Sequence, residues 1–237
     1  RTERNYIRKR AAFTNVPDLT LAVPSVWLER EVKQSFLGDY PVKVIPNGID
    51  LAGFHPVEKG LRERLGLTGR YVILGVANVW ERRKGLDYFV ELSRRLPEDC
   101  QVILIGLTGR QKRRLPERML GISRTSSVEE LAEYYSMADV FVNGTLEDNF
   151  PTTNLEALAC GTPVITFDTG GSPESLTEAC GRVVPKGDVE ALTRAVLKER
   201  QEPKSRDACL QRAERYKKED RFLEYAELYH ELAGRRG

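Results

Sequence analysis

At 237 residues, with 37 Lys and Arg against 35 Asp and Glu, the chain holds one good-sized domain with part of another, and its balanced charge argues against nucleic acid as the main partner. It lacks any run near the roughly 18 consecutive apolar residues of a membrane-spanning helix, and its charged start lacks the apolar core of a signal peptide, so a soluble cytoplasmic protein is expected. Cys100, Cys160, Cys180 and Cys209 lie far apart and only His55 and His230 accompany them, so reduced structural thiols are expected and a metal site is not.

In chain order, Arg1, Arg4, Arg8, Lys9 and Arg10 gather at the start. We read them as a solvated, partly disordered face; contact with an anionic membrane surface is the sharper alternative. A strand over 19–23 and a helix over 26–36 follow. An apolar run over 42–45 then stops at Pro46-Asn47-Gly48, a turn signal with a residue that tolerates positive φ. This turn reads as a hinge, His55 as a surface residue of an exposed linker, and 61–65 as a short helix. Residues 1 to about 50 are too few for an independent core. With no Met at its start, the chain is expected to be a fragment that opens in the tail of another domain.

From residue 71 the pattern becomes regular. Strands are expected at 71–76, 101–105, 140–142, 164–167 and 181–184. Helices are expected at 86–96, around Leu131, Ala132, Tyr135 and Ala138, from 153 to the stop at Gly161, and around Leu192, Ala195 and Val196. Glu202-Pro203-Lys204-Ser205 breaks the last of these, and a final helix aligns Phe222, Tyr225, Ala226 and Tyr229 on one face. The alternation implies an α/β fold, a Rossmann-like doubly wound parallel sheet, whose ligands bind beyond the carboxyl ends of the strands. The loops after Val76, Ile105, Val142 and Phe167 are therefore the functional candidates.

The richest of them runs Gly144-Thr-Leu-Glu-Asp-Asn-Phe-Pro-Thr152 and opens a helix, with Thr153 and Glu156 in capping-box spacing. A helix N-terminus attracts anions, because unpaired N–H donors and the positive end of the dipole point to one place; phosphate is the obvious candidate. Asp148 and Glu156 bracket the loop with seven residues between them and Glu147 beside the first. Both acids can accept hydrogen bonds from sugar or ribose hydroxyls, or Glu156 only closes the capping box; spacing leaves the two open. After Val76, Ala77-Asn-Val-Trp-Glu-Arg-Arg-Lys-Gly85 is a dense basic run, and after the next strand Ile105-Gly106-Leu-Thr-Gly109 permits close backbone approach. It lacks the Gly-x-Gly-x-x-Gly fingerprint, which argues against a dinucleotide dehydrogenase.

An acid, seven residues, then Glu156-Ala-Leu-Ala-Cys-Gly-Thr-Pro-Val-Ile165 and Asp168-Thr-Gly-Gly-Ser-Pro-Glu174 resembles the donor-site signature of the retaining glycosyltransferases of family 4. Ser127 to Val142 is similar to that family's preceding helix and strand, and Val44-Ile-Pro-Asn-Gly-Ile-Asp50 to its interdomain hinge. The resemblance implies the C-terminal half of a GT-B fold: residues 1–46 as the remnant of an N-terminal acceptor domain with the hinge, 47–218 as the nucleotide-sugar-binding domain, and 219–237 as a helix crossing back. It implies transfer of a sugar from a nucleoside diphosphate, such as a UDP- or GDP-sugar, to a glycolipid or polysaccharide-precursor acceptor, with no cofactor or metal. Contact at the inner face of the membrane would be peripheral.

By the same resemblance Lys84 neutralises the diphosphate, Asp148 holds a sugar hydroxyl and Glu156 the ribose hydroxyls. Asn78 stands where the family has Arg, which leaves open whether Arg82 or Arg83 supplies that charge. Gly106, Arg124 near the nucleobase, Asn149, Phe150, Thr152, Thr153, Gly170 and Gly171 complete the expected donor contacts. Pro151 replaces a common Gly there and removes one donor. The departures at Asn78 and the truncated start motivate an alternative, a non-catalytic nucleotide-sugar-binding module working with a separate acceptor-domain chain.

Overall fold

The computed structural model describes residues 2–234, so Arg1 and residues 235–237 of the expected crossover helix lie outside the described residues. A small leading unit comprises helix α1 (Thr2–Phe13), strand β1 (Leu21–Val23), helix α2 (Val26–Lys33) and strand β2 (Val42–Val44). β1 and β2 form a parallel pair with Leu21 opposite Val42. The basic start is a solvated face as expected, with Arg4, Arg8, Lys9 and Arg10 all exposed, but it is helical where partial disorder was expected. Tertiary contacts account for this: Tyr6 meets Phe36 edge-on at 5.4 Å, and the Tyr40 hydroxyl donates to the Phe13 carbonyl at 2.9 Å. α2 ends three residues short of the predicted 36, where the Lys33 ammonium donates to the carbonyls of Gly38 and Tyr40 and holds the chain in a turn.

The main body runs α3 (Leu61–Arg64), β3 (Tyr71–Val76), α4 (Leu86–Arg95), β4 (Cys100–Ile105), α5 (Gly109–Lys112), β5 (Met119–Ile122), α6 (Val128–Met137), β6 (Val140–Asn143), α7 (Thr152–Ala159), β7 (Val164–Phe167), β8 (Gly181–Val184), α8 (Val189–Gln201), α9 (Arg206–Glu214) and α10 (Lys218–Gly234). Six strands form one wholly parallel sheet in the order β5-β4-β3-β6-β7-β8. The chain winds outward from β3 and then returns to add β6 beside it, so the order reverses between β3 and β6.

Strands buried on both faces are apolar almost throughout, and alternate residues enter opposite layers. Val72, Leu74, Ile103 and Phe141 pack under α6, α7 and α9 through Tyr135, Leu155, Leu158 and Cys209. Ile73, Leu104, Val140 and Ile165 pack under α4 and α8 through Phe89, Leu92, Leu192 and Val196.

The two units are joined twice. Ile49 N–H donates to the Tyr216 carbonyl at 2.7 Å and Lys218 N–H to the Ile49 carbonyl at 3.0 Å, so the segment after β2 and the start of α10 run side by side. The expected positive φ at the hinge is not found; Gly48 is required by proximity instead, since a Cβ there would lie 2.6 Å from Lys218 Cα. α10 buries Leu228, while of the expected apolar face Phe222, Ala226 and Tyr229 are exposed and Tyr225 is half-buried.

Candidate functional site

The site lies where the loops after β3 and β6 meet. Trp80 anchors the first loop: its indole N–H donates to the Ile105 carbonyl at 2.8 Å, and its ring meets Phe89 edge-on at 5.2 Å. Arg82–Lys84 form one 3-10 turn that ends at Gly85, φ 76°. A Cβ at Gly85 would sit 2.1 Å from the Gly144 carbonyl oxygen, and Leu146 N–H donates to the Arg83 carbonyl at 2.7 Å, so the two loops touch backbone to backbone. The result aims Lys84 at Asp148, Nζ to Oδ2 3.0 Å, with both side chains mostly buried. Glu147 beside it is exposed, so Asp148 is the acid of the pair that meets Lys84. Arg83 faces Glu81 at 3.3 Å and Arg82 is exposed; Lys84 is the cation of this run that reaches the central loop.

α7 begins at Thr152 with Pro151 at the N-cap. The expected capping box does not form, because the helix starts one residue early and places Thr153 inside it. Proline has no side-chain acceptor, so the amides of Thr152 and Thr153 remain for a ligand or water. Glu156 turns elsewhere: its Oε2 accepts from the Tyr135 hydroxyl at 2.8 Å, and Thr152 donates to it as well. Burial pushes the Glu156 carboxyl above the ordinary glutamate range, and these two hydrogen bonds oppose that rise.

A cleft of about 340 Å³ opens over this helix end and gathers Asn78, Gly106, Arg124, Thr152, Thr153 and Glu156, with Ile105 and Leu131 as apolar wall. Among the described residues lining it, Arg124 is the single cation and Glu156 the single acid. Gly106, φ 99°, is irreplaceable by geometry: a Cβ would lie 1.6 Å from the Ala77 carbonyl oxygen. Arg124, expected near the nucleobase, lies in a loop of Ser123, Arg124 and Thr125 that follows strand β5.

Other expected contacts are placed differently. Phe150 is buried against Tyr216, ring centroids 5.4 Å apart, and its carbonyl accepts from Asn47 of the hinge. Gly170 and Gly171 touch protein: Cβ atoms there would lie 1.8 Å from the Asp148 carbonyl oxygen and 1.9 Å from that of Asn149. They shape the central loop, and Asn149 itself is exposed.

Two residues escaped sequence reasoning, and a third, Glu174, was read only as part of a motif. Asn143 and Asn154 are buried partners, Nδ2 to Oδ1 2.8 Å, and Asn154 also donates to Ser175 at 2.9 Å, tying β6 to α7 and to the 3-10 turn Pro173–Ser175. Their signal is a polar residue inside an apolar run. Glu174 accepts from the backbone N–H groups of Val26 and Trp27 at 2.9 and 2.7 Å, capping α2 of the leading unit beside Ser25. Its partners lie some 148 positions away, so nothing local marks it.

Comparison with known proteins follows the same lines. The sequence is 29% identical over 203 residues to the GDP-mannose-dependent monoacylated alpha-(1-6)-phosphatidylinositol monomannoside mannosyltransferase of Corynebacterium glutamicum, covering 76% of this chain and 52% of that protein. It is 32% identical over 182 residues to the D-inositol 3-phosphate glycosyltransferase of Geodermatophilus obscurus, covering 67% of this chain and 40% of that one. The chain thus spans about half the length of the curated relatives it matches. Its structure superimposes on sucrose-phosphate synthase from Thermosynechococcus elongatus with a TM-score of 0.86 at 26% identity, over 98% of this chain and 62% of that one. Residues 70–199, which contain the switch point, the cleft and the central loop, match the family model for glycosyl transferases group 1, and the chain belongs to that family.

Proposed function

We propose that the chain is the donor-binding part of a retaining glycosyltransferase that moves a sugar from a UDP- or GDP-sugar to a hydroxyl of a glycolipid or polysaccharide precursor. The carrying observation is an uncapped α7 N-terminus, at the switch point of the sheet, whose cleft holds a mostly buried acid, with the Lys84–Asp148 pair on the loop leading into that helix. In this reading the α7 amides and Lys84 face the diphosphate. Negative charge grows there as the glycosidic bond breaks, and donors already in position stabilise it without reorganising. Glu156 accepts from the ribose hydroxyls and Asp148 from the transferred sugar. Arg124, which lines the cleft, takes the charge absent at Asn78, rather than Arg82 or Arg83.

Residues 47–218 would form the donor domain, 1–46 the tail of an acceptor domain with its hinge, and 219–237 the crossover helix. A relative named for GDP-mannose and a phosphatidylinositol glycolipid supports a nucleotide-sugar donor and a lipid-linked acceptor. No helix among the described residues is long and apolar enough to cross a membrane. We place the enzyme in the cytoplasm, peripheral to the inner membrane face where such acceptors lie.

Calorimetric titration with UDP, GDP and ADP tests the donor site. One nucleotide should bind saturably, and Glu156→Ala should weaken it at least about tenfold, the loss expected for a charged hydrogen-bonding partner. Equal affinity in the variant, or no binding by the folded protein, would sink the assignment.

A further inference from the structure

We infer that Tyr135 is the positioning residue of the donor site: its phenol, buried in the core behind the cleft, holds Glu156 in the orientation that receives the donor's hydroxyls. This rests on the reading of Glu156 as an acceptor for those hydroxyls.

Tyr135 is wholly buried on α6, its ring edge-on to Phe54 at 6.3 Å and Phe141 at 5.4 Å. Its carbonyl accepts from the Thr162 hydroxyl at 2.6 Å. Ring and backbone are thus held on three sides, which leaves the hydroxyl one direction and one partner, Glu156 Oε2 at 2.8 Å. Aromatic packing does not require that hydroxyl; a phenylalanine fills the same space. A buried phenol with a single acceptor is a fixed donor, and burial keeps it protonated by pushing its pKa far above the ordinary tyrosine value.

Positioning follows from the number of lone pairs. A carboxylate has about four acceptor sites. Tyr135 and Thr152 occupy part of them, so the remainder point in a set direction, and Glu156 lines the cleft. A cis-diol needs two acceptor directions at once, and a freely rotating carboxylate would lose rotamer entropy on meeting it. The phenol also sets when the site is charged. Besides Tyr135 and Thr152, Cys160 follows one turn on at the end of α7, its thiol pushed up to about 12 by burial, and Arg124 lines the same cleft. Cys160 stays neutral at working pH. The hydrogen bonds from Tyr135 and Thr152 are what hold down the pKa that burial raises.

The test is Tyr135→Phe, titrated with UDP, GDP and ADP between about pH 5 and pH 8, beside Glu156→Gln and the double variant. Nucleotide affinity in the wild type should fall on acidification as Glu156 takes up a proton. In Tyr135→Phe affinity near neutral pH should drop about tenfold, and the acid limb should move to higher pH, because the ionised form has lost a donor. The phosphate groups of the nucleotide titrate alike for both proteins, so the displacement between the curves belongs to the protein. In the Glu156→Gln background the Phe substitution should add nothing to the loss. If Glu156→Gln abolishes binding while Tyr135→Phe keeps wild-type affinity and pH profile, the inference falls and the donor-site reading stands. If Glu156→Gln binds like wild type, that reading falls and takes this one with it. Should Tyr135→Phe melt below the assay temperature, replacement of the tyrosines by 3-fluorotyrosine keeps the ring and strengthens donation. No described tyrosine lines the cleft itself, so the acid limb should then move to lower pH through Tyr135, and an unmoved limb would refute the role.

Discussion

Burial makes the Glu156 carboxylate costly to ionise, and hydrogen bonds from Tyr135 and Thr152 only partly offset this. The folded protein therefore holds this proton to higher pH than the unfolded chain. Stability from the group is fully present below the unfolded pKa and is lost as pH rises through the folded one. Glu156→Gln should accordingly raise the melting temperature at about pH 8 and leave it unchanged at about pH 4, a difference that scanning calorimetry reads directly. An equal shift at both pH values would show that charge is not the cause. The acids of the site were legible in the sequence because each interrupts a turn or an apolar helix. Tyr135 was not, since an aromatic on the buried face of a helix carries the same signal whether or not its hydroxyl has a partner. Phe150 shows the converse: its position in the motif pointed to the ligand, and its side chain packs on Tyr216.

Among the elements, α2 shows how a short helix of the leading unit is held by the main body. Ser25 caps it locally, with its Oγ accepting from Leu28 N–H at 3.1 Å, and Glu174 takes the two amides that Ser25 leaves. A carboxylate at a helix N-terminus meets both the free N–H groups and the helix dipole. Glu174→Ala should cost about 1 kcal/mol locally. Hydrogen exchange should show faster exchange at Val26 and Trp27 with the central strands unchanged, and unaltered protection at those two amides would refute the latch. Long strands and amphipathic helices were read correctly from periodicity. β5 was missed because Met119–Ile122 is four residues with a glycine at the sheet edge, and its pairing to β4 supplies what propensity does not. α9 was missed because its sequence is polar nearly all round; it buries only Cys209 and Ala213, small residues that fit against α7.

At the level of the whole molecule, the two units are connected by crossings that lie against each other, Ile49 beside Tyr216 and Lys218, with Asp50 and Lys218 ion-paired at 2.8 Å. Gly48 permits this approach. Gly48→Val would push the crossings apart, and overpacking of this kind should lower the melting temperature by about 5 °C or more. Thermal unfolding checks it, and an unchanged midpoint would mean that the crossings yield without cost.

By itself the sequence determined the class of fold, the family and the strand ends to examine for function, because alternation, breakers and an acid pair are local signals written in consecutive residues. Tertiary structure alone decided which groups meet. Lys84 reaches Asp148 across 64 positions and Glu174 reaches α2 across 148, while Arg83 turns to Glu81 and the glycine pair packs on protein backbone. Such contacts depend on where whole elements sit after the sheet has formed, and packing of the two apolar layers, not the order of residues in any one segment, fixes that position.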